Sequence, residues 1–148
     1  MTREGGCPCG SVRYAVDGPL RDVIVCHCRE CVAAAGHPWA ATAVHRRDLT
    51  LLDGDDLLWR RSTVSAHDAS RGRCARCGAV VFWDAPARET VSVGVDTLDD
   101  PPPLVVAGHI WVSADPGWTP PPDEHEEGGI PAYPQGSPPG EPAVRWVE

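Results

Sequence analysis

The sequence predicts a mainly β domain that contains one short helix and ends in a proline-rich tail. Apolar and polar residues alternate in four short segments, which lie between glycine, proline and aspartate residues: 11–16, 57–61, 90–95 and 109–112. Alternation with a period of two is typical of half-buried β-strands. We therefore expect strands to supply most of the core.

One segment has the composition of a helix. Residues 29–35 read Arg-Glu-Cys-Val-Ala-Ala-Ala, and Gly36 and Pro38 follow them. Alanine and glutamate favour a helix, whereas glycine and proline end one. The sequence predicts a single short helix here.

The C-terminal part is rich in proline. Thr119-Pro-Pro-Pro122 opens this part, and prolines recur up to Pro142. Proline lacks the amide proton of a β-ladder and fixes φ. We therefore predict one β domain over residues 1–118 and an acidic, extended or partly disordered tail over 119–148. Apolar residues could pack part of this tail on the domain, namely Ile130, Tyr133 and Trp146-Val147.

Charge and hydropathy exclude some classes of protein. The formal net charge is −8, whereas a surface that binds a nucleic-acid duplex usually carries a positive patch. A local patch could come from six arginines: Arg46, Arg47, Arg60, Arg61, Arg71 and Arg73. The acidic balance nevertheless argues against nucleic acid as a partner. Because the sequence has no apolar signal-peptide core and no run of about 18 apolar residues, we expect a cytoplasmic protein with no membrane partner.

The seven cysteines point to metal or redox chemistry. An odd number cannot pair completely within one chain, and a reducing cytosol disfavours disulfides. Four of them form two similar pairs, Cys7-Pro-Cys9-Gly10 and Cys74-Ala-Arg-Cys77-Gly78, each of which leads into an apolar segment. A structural zinc ion takes four such ligands, and a glycine after the pair can adopt a positive φ that curls the backbone around the ion. We predict a closed four-cysteine zinc site.

The other three cysteines lie together in Cys26-His-Cys28-Arg-Glu-Cys31, with no glycine directly after them. Three protein ligands leave one coordination position open, as in a catalytic zinc site. The spacing also permits a second grouping, in which Cys28 and Cys31 join Cys7 and Cys9, because the intervening gap falls in the usual zinc-ribbon range. The glycine after each outer pair favours the first grouping.

Three segments of the sequence belong together: Gly5-Gly-Cys-Pro-Cys-Gly-Ser-Val-Arg-Tyr14, Cys26-His-Cys-Arg-Glu-Cys31 with Gly36-His-Pro38, and Cys74-Ala-Arg-Cys-Gly78. They resemble the glutathione-dependent formaldehyde-activating enzymes, also called the GFA or centromere protein V domain family. His109-Ile-Trp-Val112 and Pro116-Gly-Trp118 resemble the closing segment of the family. The resemblance spans roughly residues 4–134.

The resemblance implies an Mss4-like fold, a twisted tent of antiparallel sheets that holds two zinc ions. Carried over by position, Cys7, Cys9, Cys74 and Cys77 would hold the structural ion, and Cys26, Cys28 and Cys31 the catalytic ion. The activity of the family joins formaldehyde to glutathione and is classed as a carbon–sulfur lyase. The expected partner is therefore a small thiol or its aldehyde adduct.

Other residues are candidates for supporting roles. The segment Trp39–Val44 offers few polar groups for the two carboxylates of glutathione, so arginines elsewhere, such as Arg71 or Arg73, would have to bind them. His27 could act as a proton shuttle or as a fourth zinc ligand, and His37 lies near the central cysteines. Five tryptophans are expected to fill the core rather than line a cleft: Trp39, Trp59, Trp83, Trp111 and Trp118.

Two other functions compete with the lyase. A non-catalytic zinc scaffold would bind a macromolecule and would keep no exchangeable ligand on its second metal. A redox protein could use the CxxC spacing of Cys28 and Cys31, although the βαβ context of thioredoxins is missing.

Overall fold

The computed structural model describes residues 2–115 and 129–148 of the chain. The strands are β1 (Arg3–Gly6), β2 (Arg13–Val16), β3 (Leu20–Arg21), β4 (Val23–Cys26), β5 (Trp39–His45), β6 (Leu49–Asp53), β7 (Leu57–Arg61), β8 (Ser70–Cys74), β9 (Val80–Asp84), β10 (Thr90–Gly94), β11 (Val106–Ile110) and β12 (Trp146–Val147). The α-helix found in these residues is α1 (Arg29–Ala35), and short 3-10 turns cover Arg46–Asp48, Val95–Thr97 and Val112–Ala114. The mainly β prediction is confirmed.

The strands form two sheets. The smaller sheet has the order β1-β2-β6, and the larger follows the path β11-β4-β5-β10-β9-β8-β7, with β3 and β12 attached beside β5. Neighbouring strands run antiparallel, except that β11 pairs with β4 in parallel. Both cysteine-bearing regions of the larger sheet, β4 and β8, are therefore held by strands on each side.

The main core contains side chains from both sheets. Tyr14 and Val16 of β2 are fully buried, and they belong to one cluster with Phe82 of β9 and Val93 of β10. The rings of Tyr14 and Phe82 meet edge to face, with their centroids 5.3 Å apart. Because strand side chains alternate between faces, each sheet can supply this core with every second residue.

Helix α1 has the bounds that its composition predicts. Its N-cap is Cys28, whose sulfur accepts a hydrogen bond from the Cys31 backbone N–H at 3.3 Å. It ends at Gly36, which adopts a left-handed conformation and donates its N–H to the Val32 carbonyl oxygen. Below the helix, Cys31 packs in a second apolar cluster with Trp39, Ala41 and Val80.

Some strands differ from their predicted bounds for local reasons. The predicted strand at 109–112 is β11, which ends at Ile110 because Trp111 takes a left-handed conformation with φ of 58°. The segment 57–61 is a strand, but Leu58 and Trp59 are exposed because β7 lies at the edge of its sheet.

The expectation that the tryptophans fill the core is wrong for two of them. Trp39 is buried, but Trp59 is 49% exposed and Trp111 is 40% exposed. Trp59 lies on the edge strand β7 and stacks on Phe82 at a centroid distance of 6.0 Å. Trp118 lies outside the described residues.

The C-terminal residues 129–148 contact the larger sheet. β12 pairs with β3, and the Trp146 ring stacks on His45 at 4.4 Å. Tyr133 donates its backbone N–H to the His109 carbonyl oxygen. The predicted boundary at 118/119 falls in the gap at 116–128 and stays a prediction. None of the helices described here has the length and hydropathy to cross a bilayer.

Candidate metal and thiol site

The four outer cysteines come together in space. Cys7 and Cys9 lie in the turn between β1 and β2, Cys74 ends β8, and Cys77 lies in the turn before β9. Their sulfur atoms all lie within 4.8 Å of one another, with Cys7 and Cys74 buried and Cys9 and Cys77 exposed. The cluster thus joins two turns that are 65 residues apart in the chain.

The two turns have the same local geometry. Gly10 and Gly78 both have positive φ, at 80° and 79°. The Gly10 N–H donates to the Cys7 carbonyl oxygen at 3.0 Å, and the Gly78 N–H donates to the Cys74 carbonyl oxygen at 2.9 Å. The left-handed conformation favours glycine at both positions, so the repeated glycine seen in the sequence has a structural cause.

Hydrogen bonds stabilise negative charge on this cluster. The Cys7 sulfur accepts the Val12 backbone N–H, and the Cys74 sulfur accepts that of Arg76, both at 3.3 Å. The Ser11 hydroxyl lies 3.1 Å from the Cys74 sulfur and is the main cause that lowers the pKa of that thiol to about 6. Ser11 was not predicted to take part, although its place beside the first cysteine pair was a possible signal.

The donor set fits a tetrahedral metal ion. Zinc–sulfur bonds of about 2.3 Å place the sulfurs of a tetrahedron about 3.8 Å apart. The Cys7 and Cys9 sulfurs lie 3.5 Å apart, and those of Cys9 and Cys74 lie 3.7 Å apart. This cluster could therefore hold a metal ion such as zinc with little movement of its side chains.

The three central cysteines form a second cluster. Cys26 ends β4, Cys28 caps α1 and Cys31 lies in the first turn of that helix, with all three sulfurs within 4.8 Å of one another. Cys26 and Cys28 are half-buried, whereas Cys31 is buried. The structure thus groups Cys28 and Cys31 with Cys26, and the alternative grouping with Cys7 and Cys9 is not the one observed.

Charge on the central cluster is unevenly distributed. Hydrogen bonds from the Cys26 and Cys31 side chains lower the pKa of Cys28. The hydrogen bond between Cys26 and Cys28 also raises the pKa of Cys26. One thiolate is therefore stabilised by two neighbouring thiols. Ionising all three would bring three negative charges together, which a bound cation would offset.

Arg71 of β8 supplies positive charge beside this cluster. Its Nη2 donates to the Cys31 sulfur at 3.1 Å, and its Nη1 donates to Glu30 at 3.1 Å. Glu30 also accepts a hydrogen bond from the Ser62 hydroxyl at 3.1 Å. Arg71 was predicted as a contact for a carboxylate but not as a neighbour of Cys31. No local sequence pattern signals that contact, because the two residues are 40 positions apart.

The two candidate histidines lie in different surroundings. His27 is buried; its Nδ1 lies 2.7 Å from an Asp115 oxygen, and its Nε2 lies 2.8 Å from the His109 Nδ1. His27 could become a fourth ligand of the central cluster only after one of its ring nitrogens had lost its present partner. Burial lowers the pKa of His109, and the neighbouring His27 lowers it further. His37 is exposed and donates its Nδ1–H to the Pro38 carbonyl oxygen.

Comparison with known proteins identifies a similar fold and a sequence family. The structure is similar to a crystal structure of a Rhodobacter sphaeroides protein, with a TM-score of 0.55 and 20% sequence identity over 87% of this chain and 98% of that one. No curated protein sequence matches the chain. A family model described as "Glutathione-dependent formaldehyde-activating enzyme" matches residues 2–114, which include all seven cysteines. The chain therefore belongs to the family of glutathione-dependent formaldehyde-activating enzymes.

Proposed function

We propose that the chain is a zinc-dependent carbon–sulfur lyase that acts on the aldehyde adduct of a small thiol, with glutathione as the type of thiol. Cys26, Cys28 and Cys31 would hold the catalytic zinc. The outer cysteines, Cys7, Cys9, Cys74 and Cys77, would hold a structural zinc. The activity is the one that the family name describes.

One observation carries the proposal: the two cysteine clusters offer different numbers of sulfur ligands. The outer cluster offers four sulfurs, whereas the central cluster offers three and has two half-buried members. A metal ion with three protein ligands keeps a position for substrate. Because both His27 ring nitrogens already have partners, His27 does not fill that position in this arrangement.

The chemistry follows from the ligand type. Zinc held by the three cysteinates would supply positive charge that lowers the pKa of an incoming thiol, so that a thiolate would be present at neutral pH. In the synthetic direction, the thiolate sulfur attacks the aldehyde carbon, a carbon–sulfur bond forms, and the carbonyl oxygen takes up a proton. In the lyase direction, the hydroxyl gives up that proton and the carbon–sulfur bond breaks.

Residues of the chain would hold this arrangement in place. The Cys31 backbone N–H orients the Cys28 sulfur, and Arg71 places a positive charge against the Cys31 sulfur. Glu30 fixes the Arg71 side chain by an ion pair at 3.1 Å. Trp39, which is opposite Cys26 in the β4–β5 pairing, is buried and keeps this side of the cluster apolar.

The test compares wild type with Cys28→Ser, and Thr50→Ser on the exposed face of β6 is the control. Elemental analysis gives the zinc content, and NMR exchange gives the rate at which glutathione and its formaldehyde adduct interconvert. We expect two zinc ions in wild type and in the control, and one in a Cys28→Ser variant that is still folded. Catalysed exchange should be lost only in Cys28→Ser.

A different result would favour the zinc scaffold. Such a result is one zinc ion in reduced, zinc-replete wild type that Cys28→Ser leaves in place. The same conclusion follows if wild type holds two zinc ions but does not accelerate the exchange.

A further inference from the structure

Four arginines line a cleft beside the central cysteine cluster. The cleft has a volume of about 270 Å³, and helix α1 forms one wall with Glu30 and two alanines. The other wall is the β7–β8 hairpin, which contributes Arg60, Arg61, Arg71 and Arg73. Because Arg71 also donates to the Cys31 sulfur, the cleft adjoins the site of the proposed chemistry.

The hairpin concentrates positive charge in this cleft. Arg60 and Arg71 are direct cross-strand partners, and Arg73 lies two residues further along the same strand as Arg71. Like charges placed opposite each other on a sheet are unfavourable. In a chain with a net charge of −8, this positive surface is suited to an anionic ligand.

The carboxylates near the cleft do not balance this charge. Glu30 pairs with Arg71, and the exposed Asp68 pairs with Arg61 at 2.7 Å. Within the described parts of the chain, Arg60 and Arg73 have no carboxylate within ion-pair distance. Two guanidinium groups are thus available to a ligand.

Arg71 itself is incompletely bonded. It is 7% exposed, and its Nε is buried without a hydrogen-bond partner, the sole such side-chain nitrogen or oxygen in residues 2–115 and 129–148. A buried donor of a charged group is costly to leave unpaired. Because Arg71 Nη1 and Nη2 already donate to Glu30 and Cys31, a carboxylate would reach this Nε only after the Arg71 side chain moves. The guanidinium forks of Arg60 and Arg73 are free to match the two oxygens of a carboxylate.

The size of the cleft limits the ligand. Pockets that enclose a whole drug-sized ligand have about 300–1,000 Å³, and this cleft is slightly smaller. It therefore suits the charged end of a flexible molecule whose other end lies outside the cleft. We propose that this arginine cleft binds the carboxylate end of the small thiol whose sulfur reaches Cys26, Cys28 and Cys31, an inference that rests on the function proposed above.

The test uses Arg60→Gln combined with Arg73→Gln, because in the described residues it is Arg71, and not Arg60 or Arg73, that donates a hydrogen bond to a cysteine sulfur. Arg47→Gln is the matched control, since Arg47 is 80% exposed and does not line the cleft. Calorimetry measures the binding of S-methylglutathione, which keeps both carboxylates but has no free thiol. Glutathione diethyl ester and inorganic phosphate are the comparison ligands.

We expect the double variant to bind S-methylglutathione about tenfold more weakly than wild type, a change that corresponds to one well-formed hydrogen bond to a charged group. The control should bind it as wild type does. Binding of the diester should be weaker than that of S-methylglutathione in wild type and should not change in the double variant. Zinc content should be the same in all three proteins.

Two outcomes would overturn the inference. One is equal affinity of wild type and double variant for S-methylglutathione, including no binding to either. The other is a loss confined to inorganic phosphate, which would assign the cleft to a free anion. Failure of the proposed function would appear separately, because Cys28→Ser would then leave the zinc content unchanged while the cleft still bound S-methylglutathione.

Discussion

The Asp22–Arg145 contact joins the C-terminal segment to the sheet and gives a quantitative test of the fold. The Asp22 side chain is 3% exposed and accepts hydrogen bonds from Arg145 Nε at 2.8 Å and Arg145 Nη2 at 2.9 Å. The backbone N–H groups of Val105 and Arg145 also donate to this carboxylate, both at 3.1 Å. The contact therefore joins residues that are 123 positions apart.

These bonds lower the pKa of Asp22 from 3.8 to about 2, chiefly through the Arg145 side chain. At about 1.36 kcal/mol for each pKa unit, the charged form of Asp22 stabilises the folded state by about 2 kcal/mol near neutral pH. Because the folded pKa lies below the unfolded one, this stabilisation is present above about pH 4 and is lost as the pH falls towards 2.

We expect Asp22→Asn to lower the free energy of unfolding by about 2 kcal/mol at pH 7. Urea denaturation of wild type and variant at several pH values measures this difference in unfolding free energy. Any loss of metal that both proteins share cancels in the difference. The difference should shrink as the pH falls below about 4. Asp55→Asn, at an exposed position, is the control and should change stability by less than about 0.5 kcal/mol. A pH-independent difference, or none at pH 7, would refute the reasoning.

Three further predictions concern the core and the cysteine clusters. Gly78→Ala should lower the free energy of unfolding by about 1–2 kcal/mol, because φ at this position is 79°. Urea denaturation measures the loss, and an unchanged stability would contradict the need for glycine in this turn. Tyr14→Phe should cost about 1 kcal/mol, because it removes the 2.7 Å hydrogen bond to Thr97. Burial raises the pKa of Tyr14 to about 12, so wild type should lose stability from about pH 10 to 12 and the variant should lose less. Cys74→Ser should lower the melting temperature more than Cys28→Ser, because the outer cluster joins distant turns. If thermal melts give the reverse order, the central cluster would be the structural site.

The sequence predicted elements whose signals are local. Helix α1 has the predicted bounds because its alanines and Gly36 act within the segment itself. The matched turns were also predictable, since each cysteine pair is followed by a glycine in a left-handed conformation. The strand β5 was not predicted, because its alanine-rich sequence shows no alternation; burial between β4 and β10 makes it a strand.

What the sequence by itself determined is therefore the mainly β class, helix α1 and the family, each of which is encoded in short contiguous motifs. The tertiary structure decided which cysteines share a cluster and which side chains surround them. It brought Arg71 to Cys31 across 40 residues and placed Arg60 opposite Arg71. Such contacts depend on strand order and register, which are set by how the whole chain packs its apolar side chains rather than by any one segment.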